Sequence, residues 1–397
     1  SGEKAENIIM TELSSVKLKS EKVSLDECVG RVIYRDIFSK ENVPSFNRST
    51  VDGYAVKSSD TFGSSESMPC QLTVKGEILM GESCDYSINE GECMKISTGG
   101  RLPEGADSVV MVEYTENDLG ELCLIFKAVS PFENVTKKGD DVKENDLILK
   151  KGTLLSVRHV GVLSSIGMSE IEVFSKVKVG IISTGDEIVD ITETPGVSQV
   201  RDVNSHILSA VVCDTGCHST LYGIVKDNYD DIAAVMQKAV NENDIVLISG
   251  GSSAGARDMT VKIIGEKGEV FFHGIAMKPG KPTIGGRIDG KAVFGLPGHP
   301  AAAYYVCLRF VVPLIKKLQC RSDKPISLKA TLTQNISSNH GREEIVSVIF
   351  SHGTAQPVFA KSGIISLLGS CNGYIIIDRD CEGLKKGDEV EVVMNNE

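Results

Sequence analysis

DIVLISGGSSAGARD, residues 244–258, opens with four apolar residues, Ile245 to Ile248, without polar alternation. Such a run reads as a strand buried on both faces. It breaks into Ser249, Gly250, Gly251, Ser252 and Ser253, small residues that let a ligand approach the main chain. Asp258 then stands where it could cap a helix carrying Val261, Ile263 and Ile264. Strand, Gly/Ser loop and helix start together form a place where N–H groups can face an anion.

Working outward, the same grammar recurs. A strand through Val177 to Ile182 ends in Thr184, Gly185, Asp186 and Glu187, and a helix begins near Asn204. A strand from Leu221 to Val225 ends at Asp227, and the next helix carries Ile232, Met236 and Val240. After the opening stretch, Val270 to Phe272 leads to MKPGKP (277–282), and Ala292 to Phe294 leads to GLPGHP (295–300), with Pro300 at a helix start. A long helix is expected through Val306, Phe310 and Leu314. This β–α alternation predicts a mostly parallel, doubly wound sheet, whose ligands bind beyond the carboxyl ends of the strands. The loops TGDE, Asp227, GGSSAG, KPGKP and GLPGHP should therefore share one rim.

Further out, residues 1–19 read as a helix, followed by Val23, Leu25 and a second short helix. An extended stretch then runs from Gly30 to Ile37. NVPSFNRSTVDGYAV (42–56) is a polar loop with a turn at Asp52. Residues 70–135 alternate apolar and polar and form a β-rich domain, within which Thr98, Gly99 and Gly100 sit on a Gly/Pro loop. VRHVGVLSSIG (157–167) is an amphipathic helix that returns the chain to its first domain. Residues 325–397 alternate again and read as a small β-barrel or sandwich, with Gly383 and Gly387 at turns.

The totals bound the function. A chain of 397 residues suggests two to four domains. Net charge is −12, which disfavours general nucleic-acid binding. No apolar run approaches the roughly 20 residues that span a bilayer. SGEKAENIIMTELSS lacks the basic start and apolar middle of a signal peptide. Eleven scattered cysteines fit reduced thiols, and a cytoplasmic location is expected. The rim sets Asp186, Glu187, Asp227 and Asp258 beside Lys278 and Lys281. Carboxylates favour Mg²⁺, and lysines with N–H groups favour an oxyanion. There is no GxxxxGK[ST] and no GxGxxG, which removes an ordinary P-loop NTPase and weakens a dinucleotide dehydrogenase.

The strings NVPSFNRSTVDGYAV, STGGRLPEGADSVVMVE (97–113), ISTGDEIV (182–189), GGSSAGARD, MKPGKP and GLPGHP, in that order, resemble the molybdopterin molybdenumtransferase family. That family comprises MoeA-type molybdenum insertases and the gephyrin E domain. The resemblance covers nearly the whole chain. It implies a multi-domain α/β fold of four parts: an elongated split domain (1–40 and 136–174), an inserted β domain (41–135), a Rossmann-like three-layer α/β/α molybdopterin-binding domain (175–324) and a C-terminal β-barrel (325–397). It also implies a homodimer whose site joins two subunits. A molybdopterin adenylyltransferase is the implied partner protein.

The implied reaction converts adenylylated molybdopterin and molybdate to molybdenum cofactor and AMP, with Mg²⁺ assisting. Carried onto this chain, Glu187 and Asp258 hold the cation or orient the adenylate, with Asp227 and Asp186 supporting. Lys278 and Lys281 attract molybdate and phosphate oxygens, and Asp52 and Thr98 reach in from the partner. Gly185, Asn204, Ser249, Gly250, Gly251, Ser252, Ser253, Pro279, Gly280, Pro297, Gly298 and Arg342 complete the implied substrate site. Asn47, Gly274, His299, Ala302 and Ser347 depart from the family pattern, and Ala302 removes a possible oxyanion donor. Alternatives are a non-catalytic carrier of molybdopterin or molybdate, a tungstate-specific paralogue, and a scaffold.

Overall fold

A computed structural model describes residues 2–81, 85–117, 120–250, 254–359 and 365–395. At its centre is a six-stranded sheet of β1 (Lys178–Thr184), β2 (His218–Val225), β3 (Ile245–Gly250), β4 (Gly268–His273), β5 (Ile284–Ile288) and β6 (Lys291–Leu296), in the order β2-β1-β3-β6-β5-β4. β2, β1, β3 and β6 pair in parallel. β5 runs antiparallel to both β6 and β4. The sheet is therefore mostly parallel, as expected, with one reversed strand that the alternation did not reveal. Gly285 and Gly286 lower the strand propensity of β5. Its signal is the two-residue turn Asp289-Gly290, both at positive φ (49° and 77°), which hairpins β5 into β6.

The central strands are buried on both faces because helices cover both. Val179, Ile181, Ile245, Leu247 and Phe294 pack with Leu208 and Val212 of α1 (Asn204–Asp214) and with Ala303 and Val306 of α4 (Pro300–Val306). On the opposite face, Ile182, Val246, Ile248 and Val293 meet Ile232 and Met236 of α2 (Tyr229–Glu242) and Ile263 and Ile264 of α3 (Ala254–Lys267). The result is three layers, α/β/α. α2 starts where Asn228 Oδ1 accepts the N–H groups of Asp230 and Asp231, at 2.9 and 3.3 Å. After α4 the helix passes through a π turn, Cys307–Val311, before resuming as Val312–Leu318, so the long helix expected here is interrupted. Pro313 has no N–H to give the preceding turn, and the wider turn absorbs the loss.

Before this sheet, Ser20–Ser24 pairs antiparallel with Glu170–Phe174. Cys28, Ile33, Ile37, Leu155, Leu163 and Ile171 share one core, so the chain leaves and returns to the same body. The first helix is shorter than the expected 1–19 and spans Gly2–Glu12. Ser14 Oγ bonds back to Met10 O and Ser15 Oγ turns away to Gly290 O, so both serines take hydrogen bonds outside the helix ladder. The second short helix is a single 3₁₀ turn, Leu25–Glu27. The intervening chain forms a separate six-stranded sheet containing Gly53–Val56, Cys70–Ile78 and Glu92–Ile96.

In the tail, Glu343–Ser351, Thr354–Pro357, Ser327–Leu332, Glu389–Met394 and Gly373–Ile377 pair in a ring that closes back on Glu343–Ser351. The tail is thus a barrel and not a sandwich. Gly383 lies in the short strand Gly383–Leu384 rather than at a turn. Among the described residues no helix is long and apolar enough to cross a membrane.

Candidate functional site

The carboxyl edge of the parallel strands is drawn tight by backbone contacts. Gly185 N–H, just past β1, donates to Val225 O at the end of β2, 3.3 Å away. Gly250, at the end of β3, has φ +144°, and a Cβ there would lie 1.9 Å from Thr184 O. Only glycine permits that approach. Asp227 N–H points to Asp186 Oδ1 at 3.4 Å, which brings the acids after β1 and β2 together. Asp227 Oδ1 is buried without a hydrogen-bond partner among the described residues. Burial, then the charges of Asp186 and Glu187, push its carboxyl above the usual aspartate range.

Asn204, at the start of α1 and 8% exposed, ties three elements together. Its Nδ2 donates to Ser249 Oγ (2.8 Å) and to Gly298 O (2.9 Å), while its Oδ1 has no partner. Ser183 Oγ, at the end of β1, is likewise buried and unpartnered. Asp202 fixes the helix start by accepting from Ser205 N (3.1 Å) and Ser205 Oγ (2.7 Å). Sequence reading passed over Asp202, although the spacing DVNS was its signal.

A cleft of about 1020 Å³ opens beside this rim. Lys278, Pro279, Gly280, Lys281 and Pro297 line one wall, and Arg342, Glu344 and Ser347 of the barrel line the other. The loop 277–282 is shaped by Thr283, whose hydroxyl donates to Gly280 O at 2.7 Å, and by Ile275 N–H, which donates to Lys281 O at 2.9 Å. Lys278 Nζ donates to Glu344 Oε1 at 2.6 Å. The walls meet where Met277–Lys278 adds as a parallel strand to Glu343–Ser351. Tyr305 OH and Ser347 Oγ share a hydrogen bond of 2.5 Å across the same junction. Ala302 lines the cleft and offers it no hydroxyl. The loop 295–300 joins the two regions, because Pro297 and His299 line the cleft while Gly298 O holds Asn204.

Asp258 does not cap the helix after β3. α3 begins four residues earlier, at Ala254, so Asp258 sits exposed in its second turn. Gly251, Ser252 and Ser253 lie outside the described residues. Asp52 and Thr98 belong to the separate β sheet and do not line the cleft. They hold each other: Thr98 N–H and Oγ1 donate to Asp52 Oδ1 at 2.7 and 3.0 Å. Those bonds keep the Asp52 carboxyl below its ordinary range. Among the described residues no three His, Cys, Asp or Glu side chains converge as a metal cage.

A three-layer α/β sheet with carboxylates on its rim, beside a cleft lined by Lys278, Lys281 and Arg342 and completed by a barrel, defines a multidomain α/β protein. Family models match in three consecutive parts. "MoeA N-terminal region (domain I and II)" matches residues 1–167, "Probable molybdopterin binding domain" 180–317, and "MoeA C-terminal region (domain IV)" 329–394. A protein of Methanocaldococcus jannaschii, named for molybdopterin biosynthesis, is 34% identical over 98% of this chain and 96% of its own. The molybdopterin molybdenumtransferase of Staphylococcus aureus (strain COL) is 30% identical over 94% and 90%. The crystal structure of the molybdopterin biosynthesis MoeA protein from Pyrococcus horikoshii superposes with a TM-score of 0.89 at 37% identity, covering 99% of this chain and 98% of that one. The chain belongs to the MoeA family.

Proposed function

We propose that this protein is a molybdopterin molybdenumtransferase, which passes molybdenum from molybdate to adenylylated molybdopterin and releases AMP. The observation that carries the reading is the cleft at the α/β–barrel junction that Lys278, Lys281 and Arg342 all line, joined through the loop 295–300 to a rim of carboxylates. A tetrahedral dianion needs converging cationic donors, and the rim acids need a cation to offset their charge. On this reading the chain divides into 1–40 with 136–174, 41–135, 175–324 and 325–397, and works as a homodimer.

The residues divide the labour. Lys278, Lys281 and Arg342 draw the oxyanion into the cleft and fix it by charge-assisted hydrogen bonds. On this reading Asn204, whose Oδ1 has no partner among the described residues, contacts the molybdopterin adenylate together with the main chain at Gly185, Ser249 and Gly250 and the loop at Pro279, Gly280, Pro297 and Gly298. Glu187 and Asp258 would hold Mg²⁺, with Asp186 and Asp227 supporting. The orphaned Asp227 oxygen and the crowding of three acids fit a hard cation. Bound there, Mg²⁺ supplies charge neutralisation at the phosphate. Asp52, held by Thr98, enters from the partner subunit. The dithiolene sulfurs belong to the substrate, so this chain contributes positioning and charge compensation.

The test is AMP release from adenylylated molybdopterin with Mg²⁺ and molybdate or tungstate. Wild type should turn over. Glu187→Gln and Asp258→Asn should bind the adenylate but lose turnover by roughly 100-fold or more. Ala302 in the cleft favours a second reading, a carrier. A wild type that binds the adenylate yet never releases AMP with either oxyanion would establish the carrier and sink the transferase.

A further inference from the structure

Glu344 is the odd member of the cleft. Among the described residues, the other charged groups lining it, Lys278, Lys281 and Arg342, are cationic. A carboxylate aimed at an incoming oxyanion should repel it. Yet Glu344 is 7% exposed and both of its oxygens are engaged. Oε1 accepts from Lys278 Nζ at 2.6 Å, and Oε2 accepts from the Ser338 hydroxyl at 2.9 Å. Its backbone is fixed as well, since Glu344 is paired in register with Lys278 on one side and with Ile377 on the other. Lys278, by contrast, is half-exposed, and its four-carbon stem moves freely unless something holds the ammonium.

Resting on the reading of this cleft as an oxyanion site, we propose that Glu344 is a positioning residue for the reaction: from the rigid barrel strand it holds the Lys278 ammonium at the place where the oxyanion binds. Ser338 holds Glu344 in turn. The barrel thereby sets the geometry of a lysine carried on the α/β domain. The arrangement also limits the free positive charge of the empty cleft, so an anion must supply bonds as well as charge to compete for Lys278.

Two opposing effects make the idea testable. If Glu344 were only a repulsive charge, removing it would tighten oxyanion binding. If it positions Lys278, removing it weakens binding despite the gain in net positive charge. Binding of sodium tungstate and sodium molybdate to the full chain is measured by calorimetry for wild type, Glu344→Gln, Lys278→Ala and the double variant. Glu344→Gln keeps the volume and a hydrogen-bond acceptor. We expect it to raise Kd about tenfold, and to have no further effect in the Lys278→Ala background. Ser338→Ala, which leaves the charge in place, should raise Kd less but in the same direction, and it carries the test if Glu344→Gln does not fold. An unchanged or lower Kd in Glu344→Gln, or effects that simply add to those of Lys278→Ala, overturns the positioning role and leaves the transferase standing. A wild type that binds neither oxyanion overturns both.

Discussion

Burial and two acidic neighbours push the Asp227 carboxyl up, so the folded chain binds that proton more tightly than the unfolded chain does. Its contribution to stability then falls as pH rises from the ordinary aspartate value toward the raised one. Asp227→Asn should therefore raise Tm at pH 7, and the gain should vanish below the ordinary aspartate range. Thermal melts at pH 7 and pH 3 check this, and an equal gain at both would refute it. If the rim acids hold a cation as proposed, added Mg²⁺ should stabilise wild type more than Asp227→Asn. Gly250 makes a second local prediction. A side chain there meets Thr184 O at 1.9 Å in a backbone conformation that other residues resist. Gly250→Ala should cost about 3 kcal/mol in urea unfolding. Lys281→Ala should raise KM for molybdate by about 10- to 100-fold with a smaller change in kcat, because it removes charge-assisted bonds made on binding.

Among the elements, the junction around the π turn matters most. Arg309 lies in that turn and reaches Glu6 of the first helix at 2.7 Å and Glu343 of the barrel at 3.3 Å. One largely buried guanidinium thus joins three parts of the chain, with 19% of its side chain exposed. Arg309→Met removes the positive charge that bonds both glutamates and should destabilise the fold by about 3 kcal/mol, read from denaturant midpoints. The helices and strands around the site were largely readable, because a helix signals itself by period 3.6 and a buried parallel strand by an unbroken apolar run. Asp258 was placed at a cap because the helix period was read from Val261 onward, although Ala254 already starts the helix. β5 escaped notice because two glycines weaken it, although the Asp289-Gly290 turn that hairpins it into β6 was a local signal.

For the molecule as an assembly, Asp52 and Thr98 pose the sharpest question, since they are bonded to each other and stand apart from the cleft lining. If they serve a partner's site, two crippled chains should rescue each other. Mixing Asp52→Ala with Asp258→Asn after subunit exchange should restore about a quarter of wild-type AMP release. Half the dimers are then mixed, and each mixed dimer has one intact site. No recovery, with dimerisation verified by light scattering, would place the whole site within one chain.

The linear order of residues was enough to determine the alternating α/β domain, the β-rich stretches on either side of it, and the Gly, Asp and Lys loops that follow its strands. Each of these rests on interactions within a few positions of one another, or on periodic burial. Only the tertiary structure decided that the tail closes into a barrel, that one oxygen of Asp227 is buried without a partner among the described residues, and that Lys278 is held by Glu344, 66 positions away. Those outcomes depend on which distant strands pair and in what register, and no local pattern encodes that choice.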